Sequence, residues 1–120
     1  CAMEKIKSIC LMCDMMRGLA QMEKQMMEQH GLTLNEAMVM CCIAGDTVSA
    51  SHICEQTGLI SSHGSKVIRR VEEKGYIVRI LGEADKRQML FSLTAAGKAM
   101  IKSLRETPID VPEALQALIR

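Results

Sequence analysis

The fold of this chain is decided by residues 58–97, which read GLISSHGSKVIRRVEEKGYIVRILGEADKRQMLFSLTAAG. The first part, residues 61–74, repeats apolar side chains at helical spacing and ends at Gly75, a residue type that commonly stops a helix. The period then changes from 3.6 to 2, because two β-rich runs, residues 76–81 and 88–93, flank a polar segment. The stretch therefore predicts a helix followed by a β-hairpin with a charged tip.

A second short helix is predicted immediately before this stretch. Ser49 is a typical cap for a helix that runs through Gln56, and residues 57–59 then form a tight turn that contains glycine. Ser61 or Ser62 is expected to cap the helix that follows. Two short helices joined by such a turn and followed by a hairpin form a helix-turn-helix with a wing.

Helices are also predicted on both sides of this motif. Thr33 and Glu36 are spaced as a capping box, and Thr94 is a typical N-cap. The flanking helices are expected at residues 3–30, 34–44, 95–104 and 110–119. The predicted fold class is mainly α with a small β-hairpin wing, a winged helix-turn-helix.

The predicted domain organisation is a single domain over residues 1–120. The helix at residues 3–30 would be about 40 Å long, longer than the small domain that follows, so its apolar stripe needs cover from another chain. We therefore expect a dimerisation helix at 3–30, a winged helix-turn-helix core at 32–94 and C-terminal dimerisation helices at 95–120.

Charge is distributed unevenly although the formal net charge is only +1. Residues 1–60 carry four basic and seven acidic side chains, whereas residues 61–94 carry seven basic and four acidic ones. The middle of the chain is therefore where an anionic partner is expected. No apolar run approaches the roughly 18 residues of a membrane span, and no signal peptide is recognisable, so a cytoplasmic protein without a membrane partner is expected. The six cysteines are expected to be reduced.

The helix at residues 61–74 has one apolar and one polar face when it is projected at about 100° per residue. The predicted buried face consists of Gly64, Val67, Ile68 and Val71, and the opposite face of Ser62, Lys66, Arg69, Arg70 and Glu73. Cations and hydroxyls are the donors that phosphates and base edges accept. Lys86 and Arg87 at the hairpin tip would reach the same side, where a basic tip enters the minor groove. The alternative is a solvated face in which Glu72 and Glu73 pair with these cations.

These residues resemble the MarR family of transcriptional regulators. The resemblance lies in Gly58-Leu59, in the run from Glu72 to Ile77, in Asp85-Lys86-Arg87 and in the run from Ser92 to Gly97, and it covers residues 32–104. In that family an Asp-x-Arg wing precedes a Leu-Thr-x-x-Gly helix start. The resemblance implies an obligate homodimer that represses transcription, binds a pseudo-palindromic double-stranded DNA operator and releases it when a small ligand or an oxidant binds.

The resemblance also implies a set of DNA-contacting residues. Arg87 would enter the minor groove, and Asp85 would orient the wing through an arginine. Residues implied at the major groove are Ser61, Ser62, His63, Ser65, Lys66 and Arg70. The chain departs from the family pattern at Ile60, where Ser or Thr is usual, and at Gly64, which replaces a β-branched residue.

Two other functions remain open at this point. A winged helix can bind protein instead of DNA, and Cys10 and Cys13 lie on one face of the first predicted helix, where two thiols could sense oxidants. No catalytic constellation and no set of metal ligands at recognisable spacing is present in the sequence. The sequence therefore predicts a DNA-binding protein that is not an enzyme and that needs no cofactor or metal.

Overall fold

The structure is a computed structural model that describes residues 6–82, 89–112 and 116. The described residues fall into two compact units, which divide after Gly31 and before Pro108. The first unit contains the N-terminal helix and the last part of the chain, and the second contains residues 32–107. No helix in the described part of the chain is long and apolar enough to cross a membrane.

The first unit is built on one long helix, α1 (Lys7–His30). This helix contains no proline and ends at Gly31, whose φ of +71° closes the last turn. The backbone N–H of Asp110 donates a hydrogen bond of 2.8 Å to the side-chain oxygen of Gln25 and so attaches the chain after Pro108 to α1. The last predicted helix, at residues 110–119, falls mostly outside the described residues.

The second unit is mostly helical with a small sheet. Its elements are, in chain order, α2 (Leu34–Ile43), β1 (Val48–Ser49), α3 (Ala50–Thr57), α4 (Ser61–Glu73), β2 (Ile77–Leu81), β3 (Met89–Leu93) and α5 (Ala95–Glu106). The predicted capping box of α2 is confirmed: the Thr33 N–H donates to the Glu36 carboxylate at 2.8 Å, and the Glu36 N–H donates to the Thr33 hydroxyl at 3.1 Å. The predicted caps Ser49 and Thr94 are also confirmed.

The sheet has three antiparallel strands in the order β1-β3-β2. The predicted hairpin of β2 and β3 is confirmed, with Ile77 opposite Leu93. Strand β1 was not predicted, because its two residues are too few to show an alternating pattern. Val48 pairs with Phe91 and thereby holds the start of α3 against the sheet.

The core of the second unit lies between the helices and the inner face of the sheet. Helices α2, α3 and α4 pack against one another. The fully buried apolar side chains are Leu32, Val39, Met40, Ile43, Ile53, Val67 and Val71. Ile77 and Phe91 extend this core to the strands. Apart from Phe91 the core is therefore built of non-aromatic side chains, and it fixes the position of α4 relative to the hairpin.

Among the described residues, one cysteine departs from the expected reduced state. Cys13, Cys41, Cys42 and Cys54 are free thiols, whereas Cys10 takes part in a disulfide. The prediction that all cysteines are reduced is therefore wrong for Cys10. Because Cys13 is free, Cys10 and Cys13 do not form a disulfide with each other.

Candidate nucleic-acid interface

The turn between α3 and α4 fixes the direction in which α4 leaves the helix-turn-helix. Gly58 ends α3 with a φ of +78°. The Thr57 hydroxyl donates to the Ile53 carbonyl at 2.8 Å and accepts from the Leu59 N–H at 3.3 Å. These two hydrogen bonds hold the turn in one conformation, so α4 begins at a defined point of the surface.

Helix α4 has the two faces that the sequence predicts. Its buried side chains are Gly64, Val67, Ile68 and Val71. The predicted DNA-contacting residues of this helix are all exposed, namely Ser61, Ser62, His63, Ser65, Lys66, Arg69 and Arg70. The helix therefore presents a row of hydroxyls and cations to solvent, which we call the basic face.

Neither Glu72 nor Glu73, at the end of α4, forms an ion pair with a cation of the basic face within the described residues. The Nε–H of Arg79 on β2 donates a bifurcated hydrogen bond to the two carboxylate oxygens of Glu72, at 2.9 and 3.0 Å. Arg79 also lies 5.7 Å from the centre of the Phe91 ring, a distance suited to a cation–π contact. Within the described residues, no ion pair involves Lys66, Arg69 or Arg70. The alternative in which Glu72 pairs with the cations of this face is therefore wrong for that residue.

Lys74 follows the last residue of α4, does not belong to the basic face and forms an ion pair with a residue of α2. Its ammonium lies 2.8 Å from the carboxylate of Glu36, whose side chain is only 1% exposed. Because Glu36 also caps α2, one carboxylate connects the start of α2 with the end of α4. Sequence reasoning found the capping role of Glu36 but missed this ion pair, which joins residues 38 positions apart.

Removing the charge of Glu36 should destabilise the fold in a pH-dependent way. Burial raises the pKa of Glu36, but the hydrogen bonds and charge of Lys74 and the hydrogen bonds of Thr33 together bring it below its ordinary value of 4.5. A lowered pKa means that the stabilisation is complete at neutral pH and is lost as the pH falls through the folded-state pKa. We expect Glu36→Gln to lower the free energy of unfolding by about 1–2 kcal/mol at pH 7.

Urea unfolding of both proteins across the acidic range tests this expectation. The difference between wild type and Glu36→Gln should shrink once the pH falls below 4.5. A difference that stays constant down to the acid unfolding of the protein would show that the charge of Glu36 does not stabilise the fold.

The start of α4 differs from the prediction. The N-cap is Ile60, which makes no side-chain capping hydrogen bond, and Ser61 is already the first helical residue. The prediction that Ser61 or Ser62 caps the helix is therefore wrong. The reason is geometric: the turn fixed by Thr57 brings the chain into helical conformation at Ser61, so the N-cap position falls on Ile60.

Gly64 has a packing role that the sequence did not reveal. A Cβ built at this position would lie 2.5 Å from the Sγ of Cys54 on α3. The absence of a side chain thus permits α3 and α4 to approach closely, which explains why glycine replaces the bulkier residue of the family pattern.

The wing is attached to the end of α4 through the start of α5. The Thr94 N–H donates to the Tyr76 carbonyl at 3.0 Å, and the Thr94 hydroxyl donates to the Gly75 carbonyl at 2.6 Å. The tip residues Asp85, Lys86 and Arg87, predicted to act in the minor groove, lie outside the described residues. The structure therefore describes the strands at the base of the wing up to Gly82 and from Met89 onward.

The fold and the basic face together define a winged helix DNA-binding domain. Residues 32–97 match the family model with that description. The chain belongs to this family, and the resemblance to the MarR regulators is confirmed. The match covers the whole segment from the residue before the capping box of α2 to Gly97 of α5.

Curated relatives support the same assignment. The chain is 29% identical over 86 residues to the HTH-type transcriptional regulator SarZ of Staphylococcus aureus, a match that covers 71% of this chain and 58% of SarZ. The chain therefore spans about 58% of the length of the curated relatives it matches.

Solved structures show the fold. A structure of Bordetella bronchiseptica BpsR, described in a study of how 6-hydroxynicotinic acid regulates its DNA binding, matches with a TM-score of 0.77 at 17% identity, over 96% of this chain and 89% of that one. The complex of S. aureus MepR with DNA matches with a TM-score of 0.65 at 19% identity, over 81% of each chain.

Proposed function

We propose that this chain binds double-stranded DNA sequence-specifically as a homodimeric transcriptional regulator, and that it acts by binding and not by catalysis. The observation that carries the proposal is the basic face of α4, on which three exposed cations lie next to exposed serines. A helix of this kind in a winged helix-turn-helix lies in the major groove, with cations toward phosphates and base edges. That SarZ is a transcriptional regulator and that MepR was solved with DNA support the proposal.

Homodimerisation is supported by the exposed apolar surface of α1. Five of its large apolar side chains fall within about 80° of one another when the helix is projected at about 100° per residue. These residues, which we call the apolar face of α1, are Ile9, Met12, Met16, Leu19 and Met27, each about half exposed or more. Glu23 also lies on this face, between Leu19 and Met27. Exposed apolar side chains that share one face of a helix are typical of a protein–protein interface.

We expect acidic substitutions on this face to dissociate the dimer. Met16 is 66% exposed at the centre of the apolar face, and a carboxylate placed there would have to be desolvated in an interface. The double variant Met12→Glu/Met16→Glu should therefore sediment as a monomer at concentrations at which wild type is a dimer.

Leu11→Glu is the matched control for this prediction. Leu11 is 54% exposed on the same helix but points about 130° away from the centre of the apolar face. It should leave the sedimentation of the dimer unchanged. Dissociation by Leu11→Glu but not by the double variant would place the interface elsewhere.

The operator is best found by selecting bound duplexes from a random DNA pool. A symmetric dimer with one α4 in each of two successive major grooves should recover two inverted half-sites about 34 Å apart. Recovery of a single asymmetric site, or no enrichment by a folded dimer, would contradict the proposal.

We also propose that a small molecule regulates DNA binding. A cavity of about 480 Å³ lies in the second unit between the end of α2, strand β3 and α5, and its lining includes Lys98 and Arg105. This volume suits a small ligand, and the two cations favour an anionic one. That the DNA binding of BpsR is regulated by 6-hydroxynicotinic acid supports regulation of this type.

A protein-binding role for the same surface has less support. That role would be favoured by a basic face neutralised by its own glutamates, yet Glu72 pairs with Arg79 on β2. The three cations of α4 make no ion pair within the described residues and are open to an external anion.

A further inference from the structure

The most exposed of the large apolar side chains in the second unit is Ile60, at 71%. It is the N-cap of α4 and directly precedes the exposed Ser61 and Ser62 of the basic face. Its aliphatic group therefore lies at the N-terminal end of α4. In a helix-turn-helix complex, the N-terminal residues of this helix approach the base edges.

Ile60 is also a poor choice for the stability of α4. The side chain makes no capping hydrogen bond, although Ser, Thr, Asp or Asn at this position would satisfy an amide of the first turn. A large β-branched side chain exposed to water gains nothing from burial either. A residue that neither caps its helix nor buries its apolar side chain does not stabilise the fold, and such residues are typical of functional positions.

Resting on the proposed DNA-binding function, we propose that Ile60 determines sequence specificity by packing against the C5-methyl group of a thymine in the major groove. Thymine is the base that presents a methyl group there, and apolar side chains are its usual partners. The nearby hydroxyls and cations read polar edges and phosphates, so Ile60 supplies the apolar contact that the basic face otherwise lacks.

The test uses the duplex recovered from the random pool and removes methyl groups one at a time. Each thymine of a half-site is replaced by deoxyuridine, which differs only in lacking the C5-methyl. For the wild-type protein, the loss of the methyl group at one position of each half-site should lower the affinity for the duplex about fourfold. This is the change in affinity expected when one buried methyl group is removed.

The Ile60→Ser variant should bind the thymine duplex about fourfold more weakly per half-site and should not distinguish thymine from deoxyuridine at that position. Ile60→Val, which keeps a branched apolar group, should retain most of the discrimination. Thermal unfolding controls for folding, because Ile60→Ser introduces a residue able to cap α4 and should be at least as stable as wild type.

The outcomes separate this inference from the function on which it rests. Tight, sequence-specific binding with no methyl-sensitive position, or methyl sensitivity that persists in Ile60→Ser, overturns the role of Ile60 and leaves DNA binding intact. Failure of a folded wild-type dimer to bind any duplex overturns both.

Discussion

Gly97→Ala should lower the free energy of unfolding by about 3 kcal/mol. A Cβ at this position would lie 2.1 Å from the backbone carbonyl oxygen of Tyr76 and 3.0 Å from a methyl carbon of Leu93. The carbonyl cannot turn away easily, because it accepts the hydrogen bond from Thr94 that attaches α5 to the end of α4. Alanine is otherwise favoured over glycine inside a helix by about 1 kcal/mol, so the expected sign is opposite to that of helix propensity. Urea unfolding at a fixed protomer concentration measures the effect.

Gly64→Ala provides the contrast, because its obstacle is a side chain. The Cβ would meet the Sγ of Cys54, an atom that substitution can remove. In a Cys54→Ala background, Gly64→Ala should therefore be neutral or stabilising.

If the Gly97→Ala variant is as stable as wild type, α5 does not pack against Tyr76 as closely as the structure shows.

Lys66→Ala/Arg70→Ala should weaken DNA binding about 1000-fold or more while leaving the fold intact. Both side chains are exposed and make no ion pair within the described residues, so their removal costs no internal contact of that kind. Each cation that meets a phosphate or a base edge contributes about 1 kcal/mol or more, and a symmetric dimer presents each of them twice. Fluorescence anisotropy with the selected duplex measures the loss.

Lys7→Ala/Lys24→Ala is the matched control, since it removes the same charge from exposed positions of α1 that lie away from its apolar face. Loss of affinity in this control equal to that of the α4 variant would indicate that total charge, and not the basic face, binds the DNA.

The parts of the fold that sequence analysis predicted are those with local causes. The apolar spacing of α4, the Thr33–Glu36 capping box and the alternating strands of the hairpin depend on residues close in sequence, and all three are confirmed. The exposure of the cations on α4 followed from the same spacing. Local pattern was therefore sufficient to predict both the winged helix and its candidate binding face.

What sequence analysis missed depends on contacts between distant residues. The ion pair of Glu36 with Lys74 joins α2 to α4, and the pairing of Arg79 with Glu72 joins β2 to α4. Neither partner could be assigned from spacing within one element. The role of Gly64 also became visible only when α3 was placed beside α4.

The salt dependence of DNA binding tests the central claim most directly, namely that the basic face of α4 meets the phosphates of a duplex. Anisotropy is measured with the wild-type protein and the selected duplex as salt rises from about 50 to 200 mM. With three cations per protomer each at a phosphate, log affinity should fall linearly with log salt, by about a thousandfold over this range. A folded dimer whose affinity is undetectable, or does not change with salt, would contradict the account.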